Sequence, residues 1–475
     1  MKLNKILLGL SVASLFALTS CDKFGDTNIN PNVTETPSTG ALLTNVQAGL
    51  GGFAAQTRGG LYAQQVSETQ YTETSLYSLP RLDFDGIYAA SLYDLQNIID
   101  VNTNDATKGT ALKFGSNANQ IAVARILKAY TYWTITDRWG DVPYFDALKG
   151  AENLSPAYTP QEQIYKDLVK ELTEAVAQFD DGPGPTGDII YAGSTAKWKK
   201  AANSLRMLIA LRTSKVYPNP GGWAATEFAA AFNDGAGFIN SNADNLAVRY
   251  PGGAFKNPWF ATYDGRTDYA ESELMTDILS DLNDPRIAAY GSSTVGFPYG
   301  LPRSQAEAFG TANTNYARVL APALRAQNSP TVVIAYAHVA LAIAEAAQRG
   351  WIAETPATWY SAGIQASWAQ WGVAGDIAAY TSNPDVSLAT NALQKIQLQQ
   401  YLAYFSDGIQ AWANWRRTGV PTLTVPADAS NGSRGIPRRY TYGQREYDLN
   451  LANVTAAGAQ YNNDAENGRV WWDVQ

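Results

Sequence analysis

A mostly α-helical fold, in which tetratricopeptide-like helix pairs form a scaffold for a loop-rich variable insertion, is what this sequence predicts. Three observations lead there. Apolar residues recur at spacings of three and four over stretches of about 15 to 25 residues. Thr, Ser and Pro open those stretches and Gly closes them, as helix caps do. Between two such blocks, residues 216–330 lose the pattern and fill with Gly, Pro, Asn, Asp and aromatic residues, the composition of loops.

The chain opens differently. Lys2 and Lys5 precede a 13-residue, mostly apolar run from Ile6 to Leu18. A spanning helix needs about 20 such residues, so residues 1–20 read as a signal peptide. Leu18-Thr19-Ser20-Cys21 resembles a bacterial lipobox, which implies a thioether-linked lipid on Cys21; an ordinary secretory signal beside a buried cysteine is the alternative. Stable anchoring takes more than one acyl chain, which a bacterial lipoprotein has. Residues 21–40 are polar and turn-rich, a tether, and residues 41–475 are expected to form one helical domain.

Within that domain, Asn117–Trp139 carries an apolar stripe that stops at Gly140. Thr159-Pro160-Gln161-Glu162 has the form of a capping box, with Thr159 as N-cap and Glu162 reaching back. Ile164, Leu168, Leu172, Val176 and Phe179 follow on one face. Ser194 or Thr195 caps a helix through Leu211. Beyond the insertion, the spacing predicts helices over 332–349, 355–371 and about 387–415. Consecutive helices of this length suggest stacked antiparallel hairpins, although no fixed 34-residue period is present.

Composition limits the function. The 475 residues hold 35 Lys plus Arg against 43 Asp plus Glu, a formal net charge of -8. Loss of residues 1–20 removes two Lys and no acid, which makes the balance more negative still. Nucleic acid is therefore a poor partner, since phosphate neutralisation needs a basic stripe. One Cys and one His exclude a disulfide framework and a multi-His or multi-Cys metal site, so neither metal nor cofactor is expected. Gly182-Pro183-Gly184-Pro185-Thr186-Gly187 matches GxGxxG in letters only: it follows a helix and carries Pro where backbone donors are wanted, so it reads as a loop. His338 lies among Ala335, Tyr336, Val339 and Leu341 and reads as a packed core histidine rather than a base. No carboxylate pair recommends itself for glycoside hydrolysis, and no catalytic residue is assigned.

Aromatic residues outside the helical stripes are the stronger signal. Rings on loops offer platforms for sugar C–H faces or peptide side chains, with adjacent polar groups for hydroxyls and carboxylates. On local composition the candidate ligand-binding residues are Tyr71, Tyr77, Trp259, Phe260, Tyr263 and Arg266. Packing of the insertion onto the scaffold is the competing role for each ring.

Several segments together resemble one family. Gln120–Tyr130 leading to Asp137-Arg138-Trp139-Gly140-Asp141-Val142-Pro143-Tyr144 is similar to the signature helix and turn of SusD/RagB-type outer-membrane lipoproteins. Lys197–Leu205, Leu282–Arg286, Ala340–Trp351, Trp415–Gly419, Ile436–Arg439 and Trp471-Trp472-Asp473 follow in the family's order. The resemblance covers nearly the whole mature chain and falls in the SusD-like branch without a known common ligand. It implies four tetratricopeptide-like helix pairs and a surface-exposed, lipid-anchored position on the outer membrane. It also implies a non-enzymatic role, the capture of an oligosaccharide or peptide for a SusC-like TonB-dependent transporter. A surface glycoside hydrolase and a helical-repeat interaction scaffold are the rival readings.

Overall fold

A computed structural model of the protein describes residues 37–78 and 81–474. The signal segment, Cys21 and the tether up to residue 36 lie outside the described residues. The first helix, α1, is Thr39–Ala54, so it begins inside the last two positions expected for the tether. The rest of the scaffold's first half is α2 (Tyr93–Thr103), α3 (Asn117–Trp139), α4 (Gln161–Gln178), α5 (Thr195–Arg212) and α6 (Trp223–Phe232). The insertion adds α7 (Glu273–Asp281) and α8 (Arg303–Ala312); α9 (Tyr336–Gln348), α10 (Pro356–Gln370), α11 (Ala392–Ala403), α12 (Gly408–Thr418) and α13 (Leu451–Ala459) complete the helices used below. Neighbours in sequence pack together: α2 on α3, α3 on α4, α4 on α5, α5 on α6, α9 on α10 and α11 on α12. This is the helical scaffold that the stripes predict. Among the described residues, no helix is long and apolar enough to cross a membrane.

α3 is the axis of this stack. From Ala122 to Trp139 only Arg125 and Lys128 reach the surface, because α2, α4 and α5 cover the remaining faces. Its end is set by Gly140, whose φ of 85° suits a residue without Cβ and whose N–H returns to Thr136 O at 2.8 Å. Asp137 is fully buried, and Trp472 Nε1 donates to its Oδ1 at 2.9 Å while Tyr165 OH donates to the same oxygen. Asp473, also fully buried, accepts from Arg438 and from Arg469 Nη1. The Trp471-Trp472-Asp473 segment thus closes the core around the C-terminal turn of α3.

Three local expectations change. Thr159 does not cap α4: it is drawn into a two-residue strand, β3 (Tyr158–Thr159), paired with β2 (Val142–Pro143), and the cap comes from Asp141, whose Oδ1 accepts from Gln161 N at 2.8 Å. Glu162 turns outward to Lys166 and Tyr217. The helix expected over 332–349 is split, because the β-branched run Thr331-Val332-Val333-Ile334 forms a strand, β6, against β4 (Leu246–Val248) before α9 begins. The helix expected over 387–415 breaks into α11 and α12 at Ser406, with φ of 72°, and Asp407 then caps α12 through Gln410 N at 3.2 Å. Gly408 must be glycine here, since the Thr57–Tyr62 helix crosses so closely that a Cβ would lie 2.3 Å from Gly60 N.

The family-like motifs become internal ion pairs. Arg417 meets Glu345 through two parallel bonds of 2.6 and 2.8 Å, with Arg349 and Gln400 on the same carboxylate. Arg286 holds Asp284 at 2.6 Å, and Arg439 holds Asp464 at 2.6 Å. The six charges of the Arg417–Glu345, Arg286–Asp284 and Arg439–Asp464 pairs are buried. A buried guanidinium tolerates loss of water when a carboxylate answers it in this bidentate fashion. His338 is buried too, with Nε2 3.2 Å from Ala403 O, and burial lowers its pKa to about 4.

Candidate functional site

The region from 216 to 330 is less loop-like than its composition suggests. Besides five α-helices, two of them only four or five residues long, it contributes two strands that staple it to the scaffold: β4 to β6, and β5 (Tyr269–Glu271) to β1 (Val66–Glu68). The second staple builds the site. Its register sets Glu68 opposite Tyr269, and the chain on either side continues the pairing: Thr69 N donates to Asp268 O at 2.9 Å and Thr69 Oγ1 to Thr267 O at 2.6 Å. Gln70 Nε2 donates to Asp268 Oδ1. Two loops nearly 200 residues apart in sequence are thereby fixed edge to edge, one ending in Tyr71 and the other carrying residues 260–267.

Beside this edge opens a cavity of about 710 Å³ lined by Phe260, Tyr263, Asp264, Arg266, Arg318, Arg325 and Gln327, among others. Tyr263 is its fixed wall. The hydroxyl donates to Tyr269 O at 2.7 Å and accepts from Val319 N at 2.8 Å, so the ring ties the 260–267 loop both to β5 and to the segment that carries the two further arginines. Burial pushes this hydroxyl well above the ordinary tyrosine range, against the opposing effects of the Val319 N–H and Arg325. Arg325 lies 4.5 Å from the centre of the Tyr263 ring. Phe260 is half-buried, with Lys256 5.4 Å from its centre. At the rim, Tyr71 is 45% exposed and lies between two cations, Arg303 at 5.0 Å and Arg266 at 5.9 Å from its ring centre. Arg266 pairs with Asp268. The surface therefore offers apolar ring faces, guanidinium donors and a side-chain amide within one concavity, a combination that suits a polyhydroxylated or charged ligand with apolar faces.

Four of the six residues expected from sequence, Tyr71, Phe260, Tyr263 and Arg266, come together here. Tyr77 and Trp259 do not, and their assignment to the ligand surface is corrected. Tyr77 is 1% exposed, packed edge-on against Tyr62 at 6.1 Å, with a φ of 59° that turns its ring inward. Trp259 is 3% exposed and stacks behind Tyr263 at 6.4 Å, on the core side of the loop. It helps line a separate, small cavity of about 110 Å³. Both rings took the packing role. Arg303, Arg318, Arg325 and Gln327 were not anticipated. They are spread through a segment with no periodicity, and long-range bonds such as those from Val319 N to Tyr263 OH and from Asn257 N to Gln327 O bring the last three to the cavity.

Among the described residues, no cluster of three or more His, Cys, Asp or Glu is arranged to hold a metal ion. The carboxylate lining the cavity is Asp264, paired with Lys256 at 2.7 Å; Asp268, next to the lining residue Thr267, is paired with Arg266.

A family model described as SusD-like, starch-binding and associating with the outer membrane matches residues 31–443. No curated protein matches the chain. Among solved structures it is similar to a chitin-binding protein at 28% identity, with a TM-score of 0.78 over 92% of this chain and 100% of that one. A chitin-binding SusD homologue from Flavobacterium johnsoniae follows at 24% identity and 0.77, over 92% and 98% of the two chains. A SusD homologue from Bacteroides uniformis has 24% identity and 0.78, over 92% and 99%.

Proposed function

The chain belongs to the SusD-like family of outer-membrane-associated, starch-binding proteins, and from that premise we propose that it is a non-enzymatic glycan receptor. In this reading Cys21 carries the lipid that holds the protein on the outer face of the outer membrane. The helical scaffold positions the insertion, and the captured oligosaccharide passes to a partner TonB-dependent transporter of the SusC kind. Closure of receptor over transporter would be a lid motion on the microsecond to millisecond scale.

The observation that carries the proposal is half-buried Phe260 in the lining of a cavity of about 710 Å³ on the insertion, with exposed Tyr71 beside the lining residue Arg266. Ring faces at the mouth of a polar concavity match the alternation of C–H and hydroxyl faces along a sugar chain. The hydrolase reading is less well supported: bond cleavage asks for two carboxyl groups free to act as acid and as base or nucleophile, and Asp264 at this cavity and Asp268 beside it are both tied in ion pairs.

Titration calorimetry with oligosaccharides, including starch and chitin fragments, tests capture. Binding that weakens about tenfold in Tyr71→Ala without any product release supports the receptor; sugar release by the wild type overturns it. Copurification from gently solubilised outer membranes tests delivery, with a stoichiometric β-barrel transporter as the expected companion. A Cys21→Ala variant should leave the membrane fraction.

A further inference from the structure

The cavity carries a charge imbalance that a neutral sugar leaves unused. Three guanidiniums line it, those of Arg266, Arg318 and Arg325, against the single carboxylate of Asp264. Asp264 is answered by Lys256, and Arg266 by Asp268. Arg318 and Arg325 are answered by no carboxylate among the described residues. Arg325 donates from Nη1 to the carbonyls of Val319 and Leu320 at 2.9 and 2.8 Å, and its Nε and Nη2 meet no protein acceptor. Among the described residues the Arg318 guanidinium meets none; only its backbone is engaged, the N–H by Ser292 Oγ and the carbonyl by Ser292 N, both at 2.9 Å.

The two cations also act on each other. Burial holds the Arg325 guanidinium below its ordinary range, Tyr263 opposes that, and the charge of Arg318 pushes further down. Like charges kept side by side at a partly buried site cost free energy, and an anion seated between them relieves it. Acidic side chains outnumber basic ones in this sequence, so ready counter-ions are common elsewhere on the surface. Here free donors face open space instead. Guanidinium is a planar fork that matches the two oxygens of a carboxylate or the face of a sulfate. Tyr263, whose ring is stacked with Arg325 and whose hydroxyl is doubly bonded, serves to aim that fork rather than to stack on a sugar.

We propose that this site takes an acidic oligosaccharide, one whose rings bear an oxyanion as a uronate carboxylate or a sulfate ester, bound between Arg318 and Arg325 with apolar ring faces toward Phe260 and Tyr71. The assignment rests on the glycan-receptor reading above and narrows its ligand class.

The purified protein is titrated calorimetrically with tetragalacturonate, with the same tetrasaccharide as its methyl ester, with a sulfated galactose tetrasaccharide, and with neutral starch and chitin fragments. One of the two anionic probes is expected to bind at least about tenfold more tightly than the methyl ester, and whichever is tighter identifies the oxyanion. Arg318→Gln should weaken that binding about tenfold or more, the usual range for loss of a charge-assisted hydrogen bond. Its melting temperature should not fall, because the guanidinium makes no hydrogen bond or ion pair among the described residues and its loss relieves repulsion on Arg325. Lys170→Gln, which removes an exposed cation on α4, should leave affinity within about twofold. Three results overturn the acidic ligand and leave the glycan receptor standing: neutral probes binding as tightly as anionic ones, no effect of Arg318→Gln, or an equal effect of Lys170→Gln. No heat with any probe overturns both.

Discussion

Arginine is used in opposite ways in the core and at the cavity. In the core, Arg417, Arg286 and Arg439 are buried and each meets a carboxylate within 2.6 Å. At the cavity, Arg318 and Arg325 are half-buried and meet none. The physical difference is what each arrangement leaves available. An ion pair closed inside the protein fixes the packing of two elements and has nothing left to offer a ligand. A guanidinium whose neighbours are carbonyls and a ring is held in place while keeping its charge and several of its donors.

The comparison breaks most sharply at Glu345. Glu345→Ala strands Arg417 without its partner in a buried site, and such losses cost about 3–5 kcal/mol; denaturant unfolding should show a shift of that size, with the cavity affected only through global unfolding. His338 tests a second scaffold group, one kept neutral. Its folded pKa is depressed from 6.5 to about 4, so the unfolded chain takes up the proton first; the contribution to stability is full above pH 6.5 and is lost as pH falls toward 4. A shift of that size corresponds to about 3 kcal/mol. Wild type should lose about that much more than His338→Gln between pH 6.5 and 4, and parallel pH profiles would show that the histidine is not shielded as described.

Tyr263→Phe sits at the boundary of the two regions. It removes one hydroxyl that both donates to Tyr269 O and accepts from Val319 N, and should cost about 1–2 kcal/mol while loosening the arginine-bearing segment. Hydrogen exchange at Val319 is the sensitive readout. The smallest stability effect is expected for Tyr71→Ala, within about 0.5 kcal/mol because the ring is exposed at the rim. Glycan affinity should nonetheless fall. A variant that melts far lower would make Tyr71 a packing residue and sharpen the boundary differently.

The helices were legible because their signals are local. The stripe of Asn117–Trp139 and its Gly140 stop need no knowledge of the rest of the chain, and the same holds for Pro356 opening α10. Expectations failed where a distant segment overrode local preference: Asp141 displaced Thr159 as the cap of α4, and Leu246–Val248 claimed the β-branched start of the 332–349 helix. The site was half legible for the same reason. Aromatic residues on loops could be named, yet whether a ring faces in or out depends on backbone turns such as that at Tyr77, and Arg318 and Arg325 reach the cavity through long-range bonds, one of them made 56 residues away in sequence. The β1–β5 pairing, which joins the two loops, leaves no trace in either three-residue strand alone.

The closure of the core by Trp472 and Asp473 sets an order of events. Asp137 lies in the last turn of α3, and the indole that joins Tyr165 on its Oδ1 is 335 residues further along the sequence. Closing a loop of that span is slow compared with forming any one helix pair. Until residues 470–473 have docked, Asp137 lacks its indole donor and Arg438 its carboxylate. Docking of this segment is therefore a late step, which locks the end of α3 only after the helix pairs have formed.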